Sequence, residues 1–189
     1  MQIFLLSSLI GYNMHKSIYE PGDDSYLLEK HVKKYAKGKV LEIGTGSGIL
    51  AKAAFKKTKE VIAVDINPKA VKHVNSLGIK AICSDLFAKV EGKFDLIIFN
   101  PPYLPFERKE DRETALQVAG GKKGHEIIEK FLKQAKKHLE KNGIILLLFS
   151  SLSGDIEKLM KKYGYEFKLL EEKSLFFEKL YVYDLMSNQ

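Results

Sequence analysis

Four consecutive residues, Asn100-Pro101-Pro102-Tyr103, follow directly on the apolar run Phe94 to Phe99. Two prolines in a row fix φ and remove two backbone N–H donors, so a strand cannot continue through them. The expected result is a rigid loop at the carboxyl end of a strand, where open α/β sheets place their chemistry. Asn100 brings an amide carbonyl and an amide NH2, Tyr103 brings a flat ring, and the loop holds no strong acid, base or nucleophile. Such a loop suits the gripping of a planar NH2 group. Asn100, Pro101 and Tyr103 are the candidate catalytic residues, and Asn100, Pro101, Pro102 and Tyr103 the candidate target-binding ones. The plain alternative is a stiff turn with a packed tyrosine.

A second group of residues could hold a nucleoside. Gly44-Thr45-Gly46-Ser47-Gly48 stands between an apolar run and a helical pattern, and a glycine turn there lets backbone pass close to a ligand. Asp65 follows about 20 residues after Gly44, at the end of a second apolar run, a position from which a carboxylate accepts from ribose hydroxyls. Asp85, after Ser84, ends a third run and could accept from an adenine amine, and Glu42 ends the first run facing the same crevice. Each carboxylate alone could be a solvated charge or a helix cap. Three of them at successive strand ends are better explained by a ligand. Glu42, Gly44, Thr45, Gly46, Gly48, Asp65, Ile66, Asp85, Leu86 and Asn100 are the candidate cofactor-binding residues. The turn reads GTGSG, not GxGxxG, so an adenosine with an amino-acid tail fits better than a dinucleotide. That favours S-adenosylmethionine over NAD.

The elements that must position these residues can be read from periodicity. Tyr26, Leu27, His31, Val32 and Tyr35 recur at helical spacing after Asp23 and Asp24, ending at Gly38. Strands are expected at Val40 to Ile43, Val61 to Asp65, Ile79 to Cys83, Phe94 to Phe99 and Ile144 to Phe149. Helices are expected at Ile49 to Lys57, from Pro68 to Gly78, from Glu126 to Lys141 with Asn142-Gly143 as its cap, and near Ile156 to Lys162. Strands at Tyr165 to Leu170 and Phe176 to Asp184 would close the sheet as a hairpin. The alternation predicts an α/β, Rossmann-like fold: a seven-stranded, mostly parallel sheet with helices on both faces and an antiparallel C-terminal hairpin.

Composition narrows the function classes. The net charge is +7, which raises the prospect of a nucleic-acid partner, yet only two of the 31 basic residues are arginines, Arg108 and Arg112. Bidentate base and phosphate readout leans on arginine, so most of the lysines read as solvated surface. One cysteine, Cys83, and five scattered histidines leave no metal-ligand spacing, and no metal is expected. The apolar opening Ile3 to Ile10 is too short to span a bilayer and has no basic n-region. Residues 1–18 read as an N-terminal extension, with Met14 an alternative start, and residues 19–189 as one domain. A cytoplasmic location is expected.

Taken together, Val40 to Leu50, Asp65, Asp85 and Asn100 to Tyr103 resemble the four motifs of class I S-adenosylmethionine-dependent methyltransferases. Within that superfamily the chain resembles the HemK-like family in its archaeal and eukaryotic branch. Tyr19-Glu20-Pro21-Gly22-Asp23-Asp24-Ser25-Tyr26-Leu27-Leu28 is similar to the opening signature of that branch. Ala119-Gly120-Gly121-Lys122-Lys123-Gly124-His125-Glu126-Ile127-Ile128 is similar to its loop-to-helix element, and Phe177-Glu178-Lys179-Leu180 to its closing strand. The resemblance implies methylation of the glutamine side-chain amide in the Gly-Gly-Gln loop of a class-1 translation termination factor. It also implies a small zinc-binding activator protein adding a strand at the edge strand 79–83. Arg108, in the loop after Tyr103, would suit contacts to a substrate protein, with a mixed-charge surface loop as the plain alternative.

Two other functions compete. The Asn-Pro-Pro-Tyr motif also serves amino-methylases of adenine or guanine in rRNA, tRNA or DNA, for which Tyr103 and Phe106 could stack a flipped base. A non-catalytic cofactor-binding domain would be expected to lack an acidic anchor or Asn100, and all are present.

Overall fold

Gly22 precedes the first helix among the described residues, α1 (Asp23–Tyr35), whose opening acids Asp23 and Asp24 and closing lysines Lys33 and Lys34 suit the helix dipole. The computed structural model describes residues 18–103 and 124–187. The N-terminal run to residue 17, Phe106, Arg108, Arg112 and the run Ala119 to Lys123 lie outside the described residues. After α1 the chain alternates: β1 (Val40–Ile43), α2 (Ile49–Phe55), β2 (Val61–Asp65), α3 (Pro68–Ser76), β3 (Lys80–Cys83) and β4 (Phe94–Phe99). Then come α4 (Glu126–Ala135), a 3-10 turn at Lys136–His138, β5 (Leu139–Ser150), a 3-10 turn at Ser151–Ser153, α5 (Ile156–Lys162), β6 (Tyr165–Ser174) and β7 (Lys179–Ser187).

The seven strands form one sheet in the order β3-β2-β1-β4-β5-β7-β6. The pairs from β3 through β5 are parallel, and β7 runs antiparallel to both β5 and β6. All four residues of β1 are buried, as a strand covered on both faces requires. Leu41, Ile43, Ile97, Phe99, Ile145 and Leu147 pack against α4 and α5 on one face, where the rings of Phe99 and Phe131 stack at 4.4 Å. Val40, Ala63, Leu96, Ile98, Leu146 and Leu148 pack against α1, α2 and α3 on the other. From β1 the chain winds outward through β2 to β3, then returns to place β4 on β1's other side. That reversal opens a crevice beyond the carboxyl ends of β1 and β4, where the two candidate halves of the site meet.

The sequence expectations are corrected at several element boundaries, among them the helix from Pro68, which ends at Ser76, and the third strand, which begins at Lys80. The helix expected to reach Lys141 stops at Ala135, and Leu139 instead begins β5 opposite Phe94. Leu139 falls on the helical apolar stripe, so periodicity alone carries the helix through it. Asn142-Gly143 is not a cap: Gly143 lies inside β5, where a Cβ would sit 2.7 Å from the carbonyl oxygen of Phe94. The helix expected to Lys57 ends at Phe55. The hairpin turns later than expected, because β6 runs to Ser174 and β7 begins at Lys179, leaving Phe176 in the turn.

Candidate active site

The glycine turn after β1 takes a backbone path that a side chain would obstruct. Gly44, Gly46 and Gly48 have φ of 70°, 49° and 75°, in the left-handed region that glycine adopts at no steric cost. A Cβ on Gly48 would lie 2.8 Å from Val74 Cγ2 of α3, and one on Gly46 would lie 3.4 Å from Tyr19 Cβ. The first glycine packs helix on helix, and the second lets Tyr19 come down on the turn. Asp65 pins this turn from β2: Gly46 N–H donates to Oδ2 at 2.8 Å and Asn67 N–H donates to Oδ1 at 2.8 Å. One carboxylate thereby joins the glycine turn to the start of α3, and burial holds its pKa above the ordinary aspartate value. Next to it Ile66 is 53% exposed, an apolar side chain at a strand end that could cover one face of a base.

Glu42 lies buried at the end of β1 and accepts from Thr45 Oγ1 at 2.6 Å. Burial pushes its carboxyl up to about 8, with Asp65's charge adding to the effect and the bonds from Thr45 and Ala51 opposing it. The folded chain thus keeps this proton through neutral pH, whereas the unfolded chain releases it near 4.5. The contribution to stability is fully present below pH 4.5 and is lost as pH rises through about 8. The melting temperature of the cofactor-free protein is expected to fall between pH 5 and pH 8.5. Glu42→Gln, neutral throughout, flattens that slope; an unchanged slope in this variant would remove Glu42 as its source.

Beyond β3, Ser84 Oγ accepts from Lys89 N–H at 3.0 Å and donates to the Leu86 carbonyl at 3.3 Å, closing a turn around Asp85. Asp85 is exposed and Leu86 buried. Leu86 has φ 45°, the only positive φ of a non-glycine among the described residues. Holding that conformation costs about 1 kcal/mol or more, and such residues cluster at ligand sites.

The loop after β4 is held from both flanks. On one side Asn100 Nδ2 donates to Asp24 Oδ2 at 3.0 Å, while Asn100 Oδ1 is buried with no hydrogen-bond partner among the described residues. On the other side the buried Ser153 Oγ donates to the Tyr103 carbonyl at 3.3 Å and accepts from Ser150 N–H at 3.2 Å. Ser150 Oγ in turn donates to Glu178 at the start of the β7 side of the hairpin. The Tyr103 ring is buried, and burial together with the nearby Asp24 charge holds its hydroxyl protonated well above the usual tyrosine range. Its hydroxyl is therefore neutral at ordinary pH. Glu178 is also shifted upward by burial, with Asp24's charge contributing.

Of the expected residues, Glu42, Thr45, the glycines, Asp65 and Ile66 gather at the ends of β1 and β2, Asp85 and Leu86 at the end of β3, and Asn100 to Tyr103 at the end of β4. Arg108 lies outside the described residues. Asp24, Ser150, Ser153 and Glu178 were not anticipated as parts of the site. Asp24 reads from sequence as a helix-opening acid, and the serines carry no pattern at all. Glu178 offered a signal: an acid set between Phe177 and the strand residues that follow it.

Residues 20–177 match the family model described as the methyltransferase small domain. A Methanocaldococcus jannaschii protein, described as a candidate protein N5-glutamine methyltransferase, is 40% identical over 184 residues, covering 92% of this chain and 93% of that one. A release factor glutamine methyltransferase of Deinococcus radiodurans is 32% identical over 140 residues, 65% of this chain and 49% of its own length. Among solved structures, the E. cuniculi Mtq2–Trm112 complex, responsible for methylation of the eRF1 translation termination factor, contains a chain that superposes with a TM-score of 0.74. That chain is 23% identical, and the match covers 92% of this chain and 100% of the other.

Proposed function

This chain belongs to the methyltransferase small domain family, and from that premise we propose that it methylates the side-chain amide of a glutamine, in the Gly-Gly-Gln loop of a class-1 translation termination factor. The observation that carries the reading is Asn100 Oδ1, buried beside two prolines and without a hydrogen-bond partner among the described residues. An unpaired buried acceptor costs about 1–3 kcal/mol, and an N–H of the target amide relieves that cost on binding. The glycine turn and the acids at three successive strand ends fit the adenosine and amino-acid tail of S-adenosylmethionine, the methyl donor of these enzymes.

The bound cofactor supplies a methyl group on a sulfonium, open to in-line displacement. The residues of this chain supply position. Asn100 Oδ1 and the Pro101 carbonyl accept from the two N–H groups of the target, which orients the nitrogen and opposes delocalisation of its lone pair into the amide. Pro102 stiffens the loop, and the buried Tyr103 ring covers the planar group and excludes water. Asp65 and Asp85 take the ribose and the adenine amine, and Glu42 and Thr45 hold the turn beneath them. Fixing a near-attack geometry of this kind can account for several kcal/mol of barrier.

A protein substrate also suits the rim. At the tip of the β6–β7 hairpin, next to Glu178, Phe176 is 91% exposed and its ring meets Phe177 edge-on at 4.8 Å. Because Leu180 at the start of β7 pairs with Ser150 at the end of β5, this tip lies at the same end of the sheet as the crevice. Phe176→Ala is expected to raise KM for the protein substrate about 5- to 20-fold with kcat little changed, since a large apolar contact is worth about 1–3 kcal/mol; an unchanged KM would take the hairpin out of substrate binding. Arg108 is kept as a second proposed contact to the substrate.

The activator belongs to this proposal as well. β3 pairs only with β2 among the described strands, so its outer edge is open to an added strand. Asn75 already occupies part of that edge: it donates to the Ala81 carbonyl at 3.2 Å and accepts from Ala81 N–H at 3.0 Å. An added strand therefore has to displace these two bonds. Full activity of the isolated chain, with no gain from a small partner, would remove the activator from the reading.

No helix among the described residues is long and apolar enough to cross a membrane, and we place the enzyme in the cytoplasm with its substrate. The deciding experiment offers labelled S-adenosylmethionine together with purified release factor or total RNA. Label in the factor, lost when its Gly-Gly-Gln glutamine is replaced, supports the reading. Label in RNA alone turns it toward base amino-methylation.

A further inference from the structure

We infer that Asp24 is a positioning residue that sets which end of the Asn100 amide faces the methyl acceptor. The inference rests on the reading of Asn100 as the group that accepts from the target nitrogen. An asparagine side chain fits its site equally well by shape after a half-turn of its amide, and only the hydrogen-bond partners decide between the two orientations. If the NH2 faced the target, a donor would meet a donor and the grip would fail.

Asp24 has the chemistry to make that choice. It is 4% exposed, on the first turn of α1. Its Oδ1 accepts from Ser25 N–H at 2.6 Å, from Ser25 Oγ at 3.2 Å and from the Tyr19 hydroxyl at 2.9 Å. Its Oδ2 accepts from Asn100 Nδ2 at 3.0 Å, and the Tyr19 hydroxyl lies 2.8 Å away. Both carboxylate oxygens are acceptors, so only the NH2 end of Asn100 can face them. The carbonyl end is then left buried and, among the described residues, unpartnered, available to the substrate. The loop backbone does not depend on this contact, because β4 pairs with β1 and β5 up to Phe99 and Ser153 anchors Tyr103 from the far side.

The isosteric Asp24→Asn variant isolates the effect. Its oxygen is required at Oδ1, where Ser25 N–H and Oγ converge, so its NH2 falls opposite Asn100 Nδ2. Asn100 then turns over, and its NH2 faces the target. We expect kcat to fall about 10²-fold or more, in the range seen when one transition-state hydrogen bond is lost. The Kd for S-adenosylmethionine stays within threefold and the melting temperature within a few degrees. The reciprocal exchange supplies a rescue. Asn100→Asp alone sets two carboxylates face to face, whereas Asp24→Asn combined with Asn100→Asp restores a donor–acceptor pair and again leaves an oxygen toward the target. The double variant is expected to be at least tenfold more active than Asn100→Asp alone.

The inference is overturned if Asp24→Asn keeps kcat within threefold of wild type, if it loses cofactor affinity in step with activity, or if the double variant gains nothing. A substrate-free measurement separates this failure from failure of the proposed function. In the 15N-labelled full chain, the Asn100 side-chain amide protons should exchange slowly in wild type and quickly in Asp24→Asn. Equal exchange overturns the role of Asp24, whatever the acceptor. Absence of label in release factor with wild-type enzyme overturns only the choice of acceptor.

Discussion

Asn100→Ala is expected to lower kcat by about 10³-fold or more while leaving the Kd for S-adenosylmethionine within about threefold of wild type. The size follows from what the side chain would do. An amide nitrogen is a poor nucleophile because its lone pair is delocalised into the carbonyl, and no strong base stands in the loop to compensate. The proposed grip of Asn100 and the Pro101 carbonyl is the means by which the enzyme localises that lone pair. Removal of a single well-placed transition-state contact commonly costs 10²–10³-fold, and loss of orientation adds to it. The cofactor is expected to be spared because the glycine turn, Asp65 and Asp85 stand at the ends of β1, β2 and β3, and the bonds that hold the turn to Asp65 do not involve the Asn100 side chain. Asn100→Ala removes a buried acceptor with no partner among the described residues but also the Nδ2 donor to the buried Asp24 carboxylate, two effects of opposite sign, so the melting temperature is expected to stay within a few degrees of wild type. Isothermal titration for cofactor binding and single-turnover methyl transfer read the two halves separately. Near-normal turnover would remove Asn100 from the mechanism, and a parallel loss of cofactor binding would make it a structural residue.

The chemistry of this site is legible in the sequence where it depends on short runs of unusual composition. Two adjacent prolines after an apolar run, a triple-glycine turn and acids ending successive strands each carry a local physical meaning, and the fold places them at the carboxyl ends of β1 to β4. Contacts made across the chain are not legible in this way. Asp24 and Asn100 are 76 residues apart, and nothing local to Asp24 distinguishes a buried hydrogen-bond acceptor from an ordinary acid in the first turn of a helix. Ser150 and Ser153 become meaningful only once β5 brings them under the Tyr103 carbonyl. The helix overrun through Leu139 has a related cause. Its apolar spacing satisfies a helix and a strand start equally, and pairing with Phe94 decides in favour of the strand. The turn at Phe176 shows the reverse case: aromatic residues suggest a buried strand, yet the hairpin closes through the bond from Leu175 N–H to the Glu178 carbonyl and leaves Phe176 in solvent.

Asp65→Ala is expected to have the second largest effect, and of the opposite kind: a rise in the Kd for S-adenosylmethionine of about 10²-fold or more, with kcat at saturating cofactor within tenfold of wild type. Two losses combine. The proposed bonds to the ribose hydroxyls are bonds to a charged acceptor, each worth about 1.5–3 kcal/mol. The same carboxylate also holds Gly46 N–H and Asn67 N–H at 2.8 Å, so its removal frees the glycine turn and uncouples it from the start of α3. Asp65→Asn distinguishes the two contributions. Its one carbonyl oxygen can serve one of those two N–H donors, while its NH2 confronts the other, and its neutral amide is a weaker partner for ribose. It should therefore bind cofactor no better than Asp65→Ala if pinning of the turn dominates, and clearly better if ribose contact dominates. The pinning term is expected to prevail, because a turn with three left-handed glycines loses more order on release than any residue that can only adopt ordinary φ. Cofactor affinity unchanged in Asp65→Ala would remove β2 from the cofactor site, and a collapse of kcat at saturation would assign Asp65 to the transfer step as well as to cofactor binding.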